Sequence, residues 1–465
     1  MTASTLEPSP VQAPVGGPLT WVRSRLFPNL RSSILTVLLT PLLAYALYRA
    51  VLFFFVNGRW DVVTRNLTLF MQGTYPRDQQ WRIVTQIIVL AFAFGVGAAT
   101  SAASQVDAAR EAGLPVVKQG FLSVLKRFWS VIAFVLLLLY FANTATPWLV
   151  MGGAIAAFAL GSLARFIPRR FRSVGWTLSV LALVAAFQVV AGTVGYSWMI
   201  TAVVLAAGAW SAFKFEGVEG RRAVVYRGLA AVAAAVVTYL VYMQLVFPGV
   251  GWDHWSGLHL TLWVSAFAIV LSFPLGLILA LARRSSFPVL RWLATGYIEL
   301  IRGVPLITLL FMGQYILGFM LPQGTDPSSI TRAITAMALF TAAYVAEIVR
   351  GGLQSIPHGQ TEAALALGLP TGKMMRMIIL PQALRAVIPA LVGQFISIFK
   401  DSSLLEIIAI DEFLGVRSLV HAQADFRVVA HAETLVFVAI GYWAFAYAMS
   451  RESQRLEVRL RAGRK

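Results

Sequence analysis

Three charged pairs stand inside or at the edges of apolar runs in this 465-residue chain: Glu299 with Arg302, Glu347 with Arg350, and Lys400 with Asp401. Ionisable groups inside membrane segments are rare and commonly functional. The first two pairs are spaced i,i+3, so each can meet on one helix face. They can line a translocation pathway or gate, and Lys400 with Asp401 can contact a zwitterionic substrate. The simpler reading is a set of pairs at membrane edges, where long side chains reach the interface cheaply. A second candidate is the stretch EAALALGLPTGKMMRMIILPQ, from Glu362 to Gln382. Its Gly368, Gly372 and Lys373 suggest a phosphate loop at first sight. That loop needs four residues between the first Gly and the Gly-Lys pair, then Ser or Thr for magnesium. Here three residues intervene and Met374 follows the lysine, which argues against a nucleotide site. The five histidines (His254, His259, His358, His421, His431) fall in no metal-ligand spacing, and there is no cysteine for a thiolate or a disulfide.

The elements that must hold these residues are apolar helices. The chain is 58% hydrophobic and 12% charged, against roughly one quarter charged in soluble domains. Its apolar runs approach the roughly 20 residues that cross a bilayer as a helix. The short alternating segments of a transmembrane β-barrel are absent. The expected fold is therefore all-α, a polytopic helical membrane protein with about twelve spans. They fall near 33–56, 83–104, 128–143, 148–164, 174–192, 197–213, 228–247, 258–282, 303–321, 331–349, 383–400 and 431–450. Residues 1–32 carry Pro8, Pro10, Pro14 and Pro18 with little apolar period, and read as a mostly disordered tail. Trp252, Trp255 and Trp263 read as an interfacial belt.

The net charge of +18 would suggest nucleic acid on a soluble chain. Here most Lys and Arg fall in loops on one side, including Arg283, Arg284, Arg291, Arg350, Lys373, Arg376 and the tail 451–465. That bias predicts a cytoplasmic basic side, with both termini inside and anionic lipid as the partner of the charges. Segments 248–257, 322–330 and 401–430 then face outward.

The 357–381 segment is thus expected to be cytoplasmic. Thr361 can cap a short helix, with Glu362 at its N-terminus, where a carboxylate complements the dipole. Ala363 to Leu367 are strong helix formers; Gly368 and Pro370 end the helix. A second piece starts near Thr371 and runs to Pro381. Two helices joined at a glycine form a compact knob. Residue types alone leave two options, a docking element or an amphipathic loop packed on its own protein.

The spacing E-A-A, three residues, G, nine residues, I-x-L-P occurs as Glu362-Ala363-Ala364, Gly368, Ile378 and Leu380-Pro381. It resembles the EAA loop of permease subunits in binding-protein-dependent ABC importers. Ile298 to Pro305, Ala343 to Gly352 and Phe399 to Leu404 are similar to the polar amino-acid branch of that family, the His/Glu/Gln/Arg/opine group. The overall layout looks most like the longer permease of general L-amino-acid systems. The resemblance covers about 250–450, five spans, a complete type I permease core. It implies a core at 251–450, an extension of about seven helices over 33–250, and a basic tail at 451–465. The extension has no counterpart in compact permeases of the branch.

The resemblance implies no cofactor in this chain, with ATP and magnesium held by a partner ATPase dimer. It implies a second, sister permease and a periplasmic amino-acid-binding protein, with a polar amino acid as substrate and no nucleic acid. The place is the bacterial inner membrane. Glu362, Ala363, Ala364, Gly368, Ile378, Leu380 and Pro381 would couple to the ATPase. A self-sufficient secondary transporter is the alternative; it predicts matching broken helices in two halves, which the sequence lacks. A membrane enzyme would need a convergent acid, base or metal set, and none is present.

Overall fold

The computed structural model describes residues 18–111, 113, 129–130, 132–134, 146–167, 182, 250, 254–320, 327–427 and 429–462. Two units separate, Met1–Trp60 and Asp61–Lys465. In the first, α1 (Pro18–Leu26) and α2 (Leu30–Leu52) are joined by a turn in which Asn29 caps α2, accepting from Ser32 N at 3.0 Å. The expected disordered tail is thus helical from Pro18, and Thr36 Oγ1 donates back to Leu26 O at 2.7 Å. A π turn at Phe53–Asn57 ends the helix; Trp60 stacks on Phe54 and donates to its carbonyl at 3.0 Å.

The second unit begins with two short helices, α3 (Asp61–Arg65) and α4 (Leu67–Gln72), then α5 (Gln80–Glu111) and α6 (Thr146–Ser162). Gly95 and Gly161 let α5 and α6 approach closely: a Cβ on Gly95 would stand 2.4 Å from Phe158 O, and one on Gly161 2.4 Å from Phe92 O. The remaining helices build the larger body. They are α7 (Gly257–Arg283), α8 (Pro288–Gly303), α9 (Leu306–Phe311), α10 (Leu317–Met320), α11 (Ser329–Gln354), α12 (His358–Ala366), α13 (Thr371–Met374), α14 (Leu380–Asp401), α15 (Val416–His421) and α16 (His431–Ala462). Pro288 opens α8, where its missing N–H is an orphan anyway. Ser328 caps α11, accepting from Thr331 N at 3.3 Å.

The core sits between α7 and α11. At Gly276 a Cβ would stand 2.6 Å from the Val345 side chain, so the two backbones are as close as glycine allows. One buried cluster gathers Leu260, Val264, Leu310, Met337, Ile398 and Leu405; a second gathers Ala280, Ile298, Val349, Leu353, Ala364, Met374 and Ile379. Phe70 of α4 packs on Phe413 and Phe437, which ties the start of the unit to α16.

Among the described residues there are no strands, and seven helical stretches are long and apolar enough to cross a membrane, or eight if the bent pair α8 with Leu306–Ile316 is one span. Eight of the twelve expected spans coincide with these. The expected spans 174–192, 197–213 and 228–247, and all of 128–143 but 129–130 and 132–134, lie outside the described residues. The count of twelve is not reproduced. Trp255 is not part of an interfacial belt: it is buried, donates to Val250 O at 3.1 Å, and meets His259 with ring centres 4.9 Å apart. Trp252 lies outside the described residues.

Candidate functional site

The 357–381 segment leaves α11 at Gln354 and turns into α12. That helix starts at His358, after Pro357 in an extended conformation. Thr361 and Glu362 therefore stand in its second turn, not at its N-terminus as the sequence suggested. Pro357, with φ fixed near −58°, sets the entry and no side chain caps it. The end is as expected. Leu369 N donates to Ala364 O at 3.1 Å and Gly368 N to Leu365 O at 2.9 Å, the paired bonds of a Schellman motif. Gly368 has φ +70°, the left-handed conformation that this motif requires.

The motif residues divide by exposure. Ala364 is buried in the second core cluster with Met374, Ile379 and Ala383; it holds the segment to the body. Ile378 and Leu380 are half-buried against that cluster. Glu362, Ala363, Gly368 and Pro381 are exposed, and so are Leu365 and Leu367, which sequence reasoning passed over. The second piece does not stop at Pro381. A π turn at Met375–Ile379 carries α13 directly into α14, and Thr371–Ile408 is one helical stretch. Pro381 lacks the N–H that an unbroken α ladder would use, and the widened turn before it takes up the mismatch. The segment is thus rigidly continuous with a membrane-spanning helix.

Behind it, four of the six expected pathway residues converge. Glu347 on α11 accepts from Arg350 through both oxygens, and lies 3.7 Å from Arg302. The expected Glu299–Arg302 pair on α8 is replaced: Glu299 is bound by Arg283 at 2.9 Å, and Arg283 also reaches Glu347 at 3.2 Å. Arg302 instead turns to Glu347 and stands over the Tyr344 ring. Arg283 closes the end of α7, so one guanidinium staples α7, α8 and α11 together just before α11 runs into the segment. Periodicity within one helix cannot tell which helices will meet, and Arg283 was read as loop charge. These side chains are partly solvated, so each pair contributes modestly and the network matters more than any member. Glu347→Gln should lower the thermal midpoint in detergent more than Glu299→Gln, because Glu347 serves three arginines and Glu299 one. Equal midpoints would remove Glu347 as the hub.

Lys400 and Asp401 are not in this cluster. They end α14, about 30 Å of helix from Leu380 by the 1.5 Å rise. Lys400 is exposed and Asp401 half-buried.

A carboxylate that sequence reasoning missed lies near that far end. Glu412 is 0% exposed. Its Oε1 accepts from the backbone of Leu414 at 2.7 Å and of Gly415 at 2.9 Å; its Oε2 accepts from Thr261 Oγ1 at 3.1 Å and Tyr442 OH at 2.6 Å. Thr261 in turn accepts from Phe413 N, and Gly257 N donates to Asp411 O at 2.8 Å. The turn 409–416 is thereby locked to α7 and α16. Burial pushes the Glu412 carboxyl up from the usual 4.5 to about 7, while its donors pull the other way. The available signal was the acidic pair Asp411-Glu412 between Ile410 and Phe413, inside an apolar stretch. Among the described residues, no group of His, Asp or Glu is placed to hold a metal ion.

Residues 272–461 match the family model described as the binding-protein-dependent transport system inner membrane component. The chain is 43% identical over 246 residues to the inner membrane amino-acid ABC transporter permease protein YhdY of Escherichia coli (strain K12), covering 51% of this chain and 66% of that one. It is 42% identical over 220 residues to the glutamate/glutamine/aspartate/asparagine transport system permease protein BztC of Rhodobacter capsulatus, covering 47% of this chain and 50% of that one. It is 38% identical over 207 residues to the probable glutamine ABC transporter permease protein GlnP of Bacillus subtilis, covering 44% and 92%. The chain belongs to this family of inner-membrane transport components. Its matches span about one half to two thirds of the first two relatives.

Proposed function

We propose that the chain is the permease subunit of an ATP-driven importer for polar amino acids, and that the 357–381 segment couples it to a separate ATPase. One observation carries the reading: an exposed helix–glycine–helix knob, bearing the family motif, continues without a break into a membrane-spanning helix. A push on the knob therefore tilts α14 as a body, which is what alternating access by rigid-body motion needs. The amino-acid substrate class rests on the relatives named above. A dimer of ATPase subunits holds ATP and magnesium; a sister permease completes the pathway; a periplasmic binding protein delivers the amino acid to the face bearing 401–430. The chain sits in the bacterial inner membrane with both termini in the cytoplasm. Glu299, Arg302, Glu347 and Arg350 stabilise the cytoplasmic end of the pathway, and Lys400 with Asp401 borders its outer end.

Co-expression tests the reading. The permease should carry an ATPase through purification, and uptake into vesicles should require ATP inside the compartment that holds the knob. Glu362→Lys should leave insertion and assembly intact while hydrolysis no longer drives uptake. ATP-independent uptake by the purified chain alone would favour the secondary-transporter alternative.

A further inference from the structure

One face of α8 meets nothing among the described residues of its own unit. Val289, Trp292, Leu293 and Leu300 share that face by helical spacing and are exposed, Trp292 to 79%. The opposite face is buried, with Ala294 and Ile298 against α7 and α11. Arg291, Thr295, Glu299 and Arg302 form a polar edge between the two. The helix also has an unusual direction: α8 and Leu306–Ile316 are bent by 105°. When the second stretch crosses a bilayer, α8 lies close to the bilayer plane. An apolar face, a basic polar edge and an in-plane axis are the features of a helix seated at the interface, its apolar side sunk into the boundary between headgroups and acyl chains.

The charges identify the headgroup. Arg284, in the turn before α8, and Arg291, in its first turn, are both exposed. Arg283 next door is committed to two carboxylates, whereas neither Arg284 nor Arg291 has a carboxylate partner among the described residues. Two uncommitted guanidiniums beside an apolar face match an anionic phosphate above acyl chains. We propose that α8 is an interfacial helix whose Arg284 and Arg291 bind anionic phospholipid in the leaflet nearest the 357–381 segment. A second copy of the chain on the same face is the rival occupant. Lipid is favoured because it satisfies the apolar face and the two flanking cations together.

The chain has no cysteine, so a single label can be placed without background. Leu293→Cys in the full chain, labelled with bimane, is reconstituted in vesicles of phosphatidylcholine and phosphatidylglycerol, one or the other brominated. Brominated phosphatidylglycerol should quench the label more strongly than its mole fraction predicts, by roughly fivefold in local enrichment. Arg284→Gln/Arg291→Gln should bring the enrichment to one while quenching by both lipids persists. Equal quenching by the two lipids in the unmodified background overturns the headgroup assignment. Quenching by neither overturns the interfacial placement and assigns the face to protein.

Discussion

Gly368→Ala lowers uptake by up to about tenfold, and Gly372→Ala leaves it unchanged. Both glycines are exposed in the same segment, and at both an added Cβ meets open space within 4 Å. Crowding therefore cannot separate them. Backbone conformation does: Gly368 has φ +70° and Gly372 lies in the ordinary region. A side chain in the left-handed conformation costs about 1–2 kcal/mol. That cost falls on the Schellman bonds that end α12, so the knob frays and its ratio of intact to frayed forms drops by about a factor of ten, near 1.4 kcal/mol. Uptake by the reconstituted transporter is the measurement, with membrane insertion as the control. Equal uptake in the two variants would mean that the shape of the knob does not matter to transport, and the coupling role would fall with it.

The second large effect is at Glu412. Glu412→Ala leaves the Leu414 and Gly415 N–H groups without an acceptor in a dry interior and makes Thr261 and Tyr442 fall back on Gly257 O and Ser402 Oγ, which costs roughly 3 kcal/mol. Glu412→Gln is milder. Its amide oxygen still accepts from Leu414 and Gly415, and its NH2 donates to Tyr442, whose own hydrogen turns to Ser402 Oγ, 3.3 Å away. The two variants also separate by pH. The fold raises the Glu412 pKa to about 7 from 4.5, so it favours the neutral form relative to the unfolded chain. Its stabilising contribution is complete below pH 4.5 and is lost as pH rises through 7. Tyr442 is the titratable side chain in contact with it, and no cation stands within ion-pair distance among the described residues. The thermal midpoint of the parent protein should fall between pH 5 and 8, and that slope should flatten in Glu412→Gln. A slope unchanged by the substitution would assign it to other groups.

Much of this was legible beforehand. The spans now seen as α2, α5, α6, α7, α11, α14 and α16 announced themselves because burial in lipid demands long apolar runs and nothing else. Gly368 was legible because one backbone conformation demands one residue type. What stayed hidden depended on distance in space. Arg283 looked like one more basic loop residue until α7, α8 and α11 were brought together. Glu412 went unnoticed within a segment assigned to the outer face; its burial follows from donors contributed by residues as remote as Thr261 and Tyr442. The bend at Gly303–Pro305 was missed because the amphipathic pattern of α8 reads as loop in a hydropathy window. Thr361 was taken for a cap because its type suits one, but Pro357 had already set the helix going.

The stretch from Thr371 to Ile408 has one further consequence. At 1.5 Å per residue the 22 residues of α14 alone are about 33 Å long, comparable to the hydrocarbon core of a bilayer. A connecting rod of that length does not dissipate motion at its inner end. A tilt of a few degrees at the knob displaces Ser402 by several ångströms, where it touches Tyr442 and through it the locked turn at Glu412. Events at the two surfaces of the membrane are therefore joined by geometry, and any softening of the rod, with Pro389 its weakest point, would appear as slack between them.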